Sequence, residues 1–232
     1  MDGDDFSNNS RTQSFSGAGL ACRRGGRLVF TGLDFHISPG GALILRGPNG
    51  SGKTTLLRVM AGLNPFTAGH LAWDKVPVED PDSHAARLRF VTHLDAIKPA
   101  LTVTENLAFW TSLWRGKEAS IAGAMAAFDL TRLAEFPARL LSAGQRHRLA
   151  LARLLVAPAP LWLLDEPGNA LDTASRDALA KAIADHRAGG GMVVVASHEA
   201  AFVENGDTLD VGVFTPKVAS HWSDDELSGA AE

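Results

Sequence analysis

Cysteine is almost absent from this sequence, which has 232 residues and a single cysteine, Cys22. One cysteine cannot form an intramolecular disulfide, so we expect a protein of a reducing compartment, the cytosol. The formal net charge is -4 and no stretch forms a basic stripe. Because nucleic-acid binders use clustered Lys and Arg to displace counterions, this composition argues against a nucleic-acid partner.

Long apolar runs are also missing. The first residues are acidic and polar and contain no apolar segment typical of a secretory signal, so we expect none. The most apolar stretch, residues 149–164, is interrupted by Arg153, Pro158 and Pro160. A stretch broken in this way is not expected to cross a bilayer as one helix. The chain is therefore expected to contact a membrane only through a partner.

Residues 47–54 match the phosphate-binding pattern G-x-x-x-x-G-K-[ST], the Walker A motif. Residues 42–45 before it are typical of a buried strand, and residues 54–61 after it of a helix. Backbone N–H groups of such a loop surround phosphate oxygens, Lys53 adds a positive charge, and the Thr54 hydroxyl can bind Mg²⁺. The alternative is a Gly-rich turn that binds nothing. The residues predicted to bind nucleotide are Gly47, Pro48, Asn49, Gly50, Ser51, Gly52, Lys53, Thr54 and Thr55.

Two other apolar runs end in polar residues. Residues 160–164 lead into Asp165 and Glu166, and residues 192–196 lead into Ser197 and His198. Such runs are typical of parallel strands buried on both faces, which place their terminal residues at one ligand-binding edge. Asp165 is therefore predicted to hold Mg²⁺, and Glu166 to orient the attacking water or accept its proton. His198 is expected beside them, although an isolated histidine is more often a satisfied core residue.

The remaining sequence predicts one α/β domain. Residues 1–16 are expected to be a disordered tail, residues 19–37 an antiparallel flap, and residues 94–157 an inserted helical lobe. Further strands are predicted at residues 71–76, 89–93 and 208–214, and a second tail at residues 216–232. Trp110 and Trp114 lie at helical spacing in the lobe. They could form a ligand platform, but we favour packing.

The order of these motifs resembles the nucleotide-binding domain of ABC transporters over residues 17–215. The resemblance rests on Walker A, Leu-Ser-Ala-Gly-Gln at residues 141–145, the acids that end the 160–166 run, residues 169–172 and Ser197-His198. It implies a P-loop NTPase core with a mostly parallel sheet, an antiparallel β flap and an inserted α-helical lobe. It also implies ATP and Mg²⁺ as cofactors, and Glu166, His198 and Lys53 as catalytic residues.

The same resemblance implies a role for a second copy of the chain. Ser142, Gly144 and Gln145 begin a helix that the family offers to the ATP bound by another subunit, and Asp172 links the two sites. Ser142 and Gln145 also fit a plain capping box, and both interpretations can hold together. We expect that turnover requires dimerisation.

Two positions depart from the family pattern. His93 stands where glutamine usually reaches Mg²⁺, so we hypothesise that His93 is a metal ligand and that activity falls as this histidine is protonated. Arg24 stands where an aromatic side chain commonly stacks on adenine. Its guanidinium either stacks instead or has no role. After Pro167, which follows the two acids, the Gly168-Asn169 pair is smaller than is usual in the family.

Residues 93–110 resemble the H-x(4)-K-x-x-L-T-x-x-E-N-L-x-F-W stretch of the ATP-binding subunits of haem exporters in cytochrome c maturation. This implies a peripheral ATPase on the cytoplasmic face of the bacterial inner membrane, bound to multi-span, haem-handling permease subunits. Hydrolysis would move haem or release a haem-loaded chaperone. We expect no direct haem binding, because no Cys-x-x-Cys-His motif is present. The rival hypotheses are an ABC subunit for another substrate, a soluble ABC ATPase acting as a regulatory module, and an inactive ATP-binding module.

Overall fold

Two β-sheets and a group of helices make up the computed structural model, which describes residues 13–92, 96–118, 120–197 and 201–216. The strands are β1 (Phe15–Arg24), β2 (Arg27–Ile37), β3 (Ala42–Arg46), β4 (Ala68–Trp73), β5 (Val76–Pro77), β6 (Leu88–Val91), β7 (Leu161–Asp165), β8 (Met192–Ala196) and β9 (Asp207–Asp210). The α-helices are α1 (Lys53–Met60), α2 (Pro81–Ala86), α3 (Val103–Leu113), α4 (Ser120–Ala127), α5 (Ala143–Ala152) and α6 (Thr173–Ala188).

A five-stranded parallel sheet holds the centre of the described structure, in the order β6-β7-β8-β3-β9. Alternate side chains of its strands enter two different cores. In β7, Trp162 and Leu164 face the core shared with the helical lobe, whereas Leu161 and Leu163 face the core shared with the second sheet. Burial on both faces explains why the sequence of this strand is apolar without interruption.

The second sheet is antiparallel, in the order β2-β1-β4-β5. It shares a core with α1 and with the face of the parallel sheet that is turned away from the helical lobe. Strands β1 and β2 form a hairpin whose two turn residues, Gly25 and Gly26, have φ of 55° and 79°. Both values lie in the left-handed region, as a tight two-residue hairpin turn requires. This sheet is the predicted antiparallel flap.

The helical lobe lies between β6 and β7 in the chain. It contains α3, α4, α5 and three short 3-10 helices, Thr131–Leu133, Ala138–Leu140 and Arg153–Leu155. Capping boxes open both α3 (Thr102 with Glu105) and α5 (Ser142 with Gln145), because each pair satisfies two helix-terminal N–H groups. The lobe is attached to the core by packing of α3 and α5 against the parallel sheet.

The structure corrects several predicted boundaries. Strand β1 begins at Phe15, whose side chain is fully buried, so the predicted tail of residues 1–16 extends too far. The strand predicted at 71–76 is β4, which starts earlier and pairs with β1. The strand predicted at 208–214 ends at Asp210, because its carboxylate accepts a hydrogen bond from the Gly212 N–H and the chain turns into the 3-10 helix Val211–Phe214. The rest of the two predicted tails, residues 1–12 and 217–232, lies outside the described residues.

Candidate functional site

The loop between β3 and α1 folds around Lys53, the first residue of α1. The Lys53 ammonium donates hydrogen bonds to the carbonyl oxygens of Gly47 at 2.8 Å and Pro48 at 3.2 Å. Gly52 precedes the first helical residue with φ of 103°, and a Cβ there would lie 2.7 Å from Cγ1 of Val29. Only glycine fits this position, because the backbone is left-handed and the β2 side chain packs directly against it. The loop therefore has the tight geometry that its sequence predicts.

The end of β7 meets the start of α1. The Thr54 hydroxyl donates to Oδ1 of Asp165 at 3.1 Å and to Oδ2 at 3.0 Å. Asp165 is buried, at 3% exposure, and so is Lys53, at 8% exposure, which precedes Thr54 at the start of α1. Two residues that are far apart in the sequence, and that were both predicted to bind Mg²⁺, are thus in contact.

These two oxygen-bearing side chains fit Mg²⁺. Mg²⁺ prefers oxygen ligands and is commonly held by one or two protein groups, with phosphate oxygens and water completing its shell. No group of three or more His, Cys, Asp or Glu that could hold a metal occurs within the described ranges. The donor set is accordingly suited to a cation that a nucleotide brings with it.

Glu166 follows Asp165 directly and has a left-handed backbone, with φ of 51°. Its N–H donates to the carbonyl oxygen of Ala196 at 2.8 Å, so the pairing of β7 with β8 continues one residue past the strand. Its half-buried side chain borders two cavities. One, of about 730 Å³, also contains Lys53, Thr54 and Asp165, and the other, of about 720 Å³, also contains Ser197.

The first cavity extends from the Walker A loop to the β1–β2 hairpin. Its far end is bordered by Arg24, for which the sequence left base stacking and no role open, and by residues that the sequence did not single out. These are Arg27, Leu28, Val29, Thr215 and Pro216. Thr215 is held there by a hydrogen bond from its hydroxyl to the Ser51 carbonyl oxygen at 3.4 Å. No local motif marks these residues, because the hairpin and the end of the described chain reach the cavity only through the tertiary fold.

Ser142, Gly144 and Gln145 do not line this cavity. The Ser142 hydroxyl accepts from the Gln145 N–H at 3.2 Å, and the Gln145 side-chain oxygen accepts from the Ser142 N–H at 2.8 Å. The capping-box interpretation is confirmed, and Ser142 is exposed at the N-terminus of α5. A helix N-terminus attracts anions, so the exposed start of α5 is suited to a negatively charged group.

Asp172 begins α6 as its N-cap, and its carboxylate accepts from the Ser175 N–H at 2.8 Å. The pKa of Asp172 is lowered, chiefly by hydrogen bonds from the Ser175 side chain and backbone N–H. The carboxylate is exposed, so it is accessible to another molecule. His93 and His198, by contrast, lie outside the described residues, so their predicted roles stay predictions.

Fold and site together define a P-loop nucleotide-binding protein whose inserted lobe carries a signature helix, α5, which begins within the Leu-Ser-Ala-Gly-Gln segment at residues 141–145. The family model described as "ABC transporter" matches residues 30–169, and the chain belongs to this family. A solved structure titled "Structure of ATP binding subunit of ABC transporter" superposes with a TM-score of 0.77 over 85% of this chain and 86% of that one, at 19% sequence identity. The fold predicted from the sequence is confirmed.

Two curated relatives are similar over most of their length. A "Cytochrome c biogenesis ATP-binding export protein CcmA" of Paramagnetospirillum magneticum is 55% identical over 191 residues, which cover 80% of this chain and 88% of the relative. The protein of the same name from Rhodospirillum rubrum is 51% identical over 203 residues, covering 87% of each. In the part of the chain that the structure describes, no helix combines the length and apolar character needed to span a membrane.

Proposed function

We propose that this chain is the ATP-hydrolysing subunit of a membrane ABC complex that powers haem export, or release of a haem-loaded chaperone, during c-type cytochrome biogenesis. The observation that carries the proposal is its 55% identity to a cytochrome c biogenesis ATP-binding export protein, combined with a Walker A loop, acids and signature helix in one fold. The chain would act peripherally, on the cytoplasmic face of the inner membrane, with multi-span partners.

The chain's residues would divide the chemistry of γ-phosphate transfer to water. Backbone N–H groups of residues 47–55 and the Lys53 ammonium would hold the phosphates. Lys53 would exchange its hydrogen bonds to the Gly47 and Pro48 carbonyl oxygens for hydrogen bonds to phosphate oxygens. Thr54 and Asp165 would hold Mg²⁺, which would neutralise phosphate charge. Glu166, one residue beyond Asp165, would orient the attacking water and accept its proton. His198 and His93 would complete the site from the two neighbouring strand ends.

A second copy of the chain would complete each site. The signature residues lie away from the cavity that their own Walker A loop borders, and they open a capped helix toward solvent. A second subunit would offer this helix end to the nucleotide, and Asp172, also exposed at a helix N-terminus, would lie at the contact between the subunits.

Replacing Glu166 with glutamine tests the enzyme assignment. We expect Glu166→Gln to bind ATP but to lower kcat for hydrolysis by about 100-fold or more, because the amide cannot accept the water proton. Glu79→Gln is the matched control, since Glu79 is exposed and remote from both cavities. An unchanged kcat in Glu166→Gln would remove Glu166 from the catalytic role.

Affinity capture tests the cargo. The Glu166→Gln chain, isolated gently from membranes with ATP present, should retain multi-span proteins with bound haem, detected by mass spectrometry and by the haem absorption spectrum. Lys53→Ala should lose the ATP-dependent part of this capture, because it lacks the phosphate-binding ammonium. Capture of a permease without haem would keep the ATPase and discard the haem cargo, and capture of ribosomes would favour the soluble regulatory module.

A further inference from the structure

The nucleotide cavity has two chemically different ends. Lys53, Thr54, Asp165 and Glu166 lie at one end, where triphosphate and hydrolysis chemistry belong. A nucleotide bound with its phosphates there must extend its base toward the β1–β2 hairpin. The base end is therefore the surface made by Arg24, Arg27, Leu28 and Val29, and this inference rests on the function proposed above.

The base end contains no aromatic ring among the described residues that line the cavity. A base bound there cannot stack on a tyrosine, phenylalanine or tryptophan of the described chain. The planar groups in the lining are the guanidinium groups of the two arginines. A guanidinium stacks on a base and also donates hydrogen bonds within its own plane. Leu28 and Val29 supply an apolar surface beside them.

Arg24 and Arg27 face each other across the hairpin, one residue on either side of the Gly25-Gly26 turn. Like charges directly opposite each other destabilise a strand pair. Neither guanidinium forms an ion pair with a carboxylate in the described ranges, whereas the neighbouring Arg23 donates at 2.8 Å to the Gly26 carbonyl oxygen. The two side chains therefore present donors, without a compensating acceptor from the described protein, to a ligand in the cavity.

The chemistry of the purines decides which ligand these donors favour. Guanine presents two neighbouring acceptors, N7 and O6, and arginine binds this pair with two hydrogen bonds. Adenine presents an acceptor at N7 but a donor at N6, so a guanidinium can stack on it but cannot bind its edge with both donors. An aromatic platform would not make this distinction.

We propose that Arg24 and Arg27 form a base-binding pair that makes the site accept guanine nucleotides at least as tightly as ATP. GTP is then a second substrate of the same hydrolytic site. Lys53, Asp165 and Glu166 act on its γ-phosphate as they do on that of ATP.

Calorimetry on the full chain carrying Glu166→Gln, with Mg²⁺ at constant ionic strength, tests the pair with three probes: ATP, GTP and base-free tripolyphosphate. Arg24→Ala and Arg27→Ala should each weaken GTP binding by about 5-fold or more, given the typical contribution of one stacked or bidentate contact. Tripolyphosphate has no base, so its binding should change by less than about twofold if the arginines contact only the base. Arg23→Ala is the matched control on the same hairpin and should leave GTP binding within about twofold of the parent.

Two exchanges at position 24 sharpen the test. Arg24→Lys keeps the charge but loses the planar guanidinium and should weaken GTP binding. Arg24→Tyr should retain ATP binding and should bind GTP less tightly, relative to ATP, than the parent does. GTP binding clearly weaker than ATP binding in the parent chain, or equal losses for GTP and tripolyphosphate in the arginine variants, would overturn the proposal. Failure of the parent to bind ATP and tripolyphosphate would instead contradict the proposed ATPase function, so the two failures are distinguishable.

Discussion

Glu166 has a left-handed backbone although it carries a side chain, a conformation that persists only where surrounding contacts impose it. Three hydrogen bonds hold the segment. The Glu166 N–H donates to the Ala196 carbonyl, the Asn169 N–H donates to the Glu166 carbonyl at 3.2 Å, and Nε2 of His147 donates to the Pro167 carbonyl at 2.9 Å. The last of these joins the signature helix α5 to the loop that carries the proposed base.

His147 is therefore expected to be a positioning residue for hydrolysis. His147→Ala should lower kcat by about 10-fold while KM for ATP changes little, because the loop that orients the Glu166 carboxylate loses its tether but the phosphate loop is untouched. His147→Gln should recover most of the rate, since an amide can donate to the same carbonyl.

Steady-state hydrolysis of the three proteins, with thermal unfolding measured in parallel, checks this role. Equal kcat in the alanine and glutamine variants would show that His147 contributes only packing. A rise in KM without a fall in kcat would place its effect in nucleotide binding instead.

At the residue scale, the sequence predicted the parts of the site that are coded by local motifs. Residues 47–54 form a motif because adjacent N–H groups must converge on one phosphate. The acids at the end of β7 follow from the geometry of a buried strand. Val29, Thr215 and His147 follow no such rule. Each reaches the site through packing between elements that are distant in sequence.

At the scale of elements, α2 is joined to β4 and α1 by a buried histidine. Trp73 on β4 donates its indole N–H to Nδ1 of His84 at 3.1 Å, and Nε2 of His84 donates to the Met60 carbonyl at 2.8 Å. Because one nitrogen accepts and the other donates, the ring must be neutral. Burial lowers the pKa of His84 below its ordinary value of 6.5, and the nearby Arg87 charge acts in the same direction.

This arrangement predicts an acid-sensitive contribution to stability. The unfolded chain binds a proton at His84 near pH 6.5, whereas the folded chain binds it only at lower pH. In that window the unfolded state holds more protons, so the free energy of unfolding decreases as the pH falls. The contribution of neutral His84 is complete above about pH 6.5 and is lost below it.

Urea unfolding at pH 5, 6 and 7 measures the effect, with His84→Gln as the test and His70→Gln, an exposed histidine of β4, as the control. The stability difference between wild type and His84→Gln should shrink as the pH falls, and His70→Gln should run parallel to wild type. A constant difference for His84→Gln would contradict the assignment.

Helix α3 shows what could be predicted at this scale and what could not. Its helical aromatic spacing predicted packing rather than a ligand platform, and Trp110 and Trp114 do pack against the core. Their partners were not predictable. The buried Arg153 lies 4.7 Å from the centre of one Trp110 ring, and the buried Arg89, whose pKa burial lowers to about 10, lies 4.4 Å from that of Trp114. Cation–π pairs of this kind depend on the docking of β6 and of the 3-10 helix Arg153–Leu155, which the sequence of α3 does not contain.

At the scale of the whole molecule, the order of motifs predicted the architecture because parallel strands deliver their carboxyl ends to one edge. The same architecture separates the signature helix from the Walker A cavity, since the inserted lobe leaves the core before β7 and places Ser142 outside the cavity lining. One chain thus carries both a Walker A cavity and the helix that begins at Ser142, and the two are not joined within it.

Mixing two inactive variants tests this separation directly. Lys53→Ala lacks the phosphate-binding ammonium but keeps its signature helix. Gly144→Asp keeps its Walker A loop but places a negative charge where the partner's phosphate would bind, and the half-buried Gly144 has its nearest neighbour, the Ala170 carbonyl oxygen, 3.4 Å from an added Cβ. If two copies share their sites with two-fold symmetry, half of the randomly mixed dimers contain one intact site, so the mixture should recover about a quarter of the wild-type rate. Each variant alone, at the same total concentration, should stay inactive, and a mixture that also stays inactive would show that the site does not form between subunits.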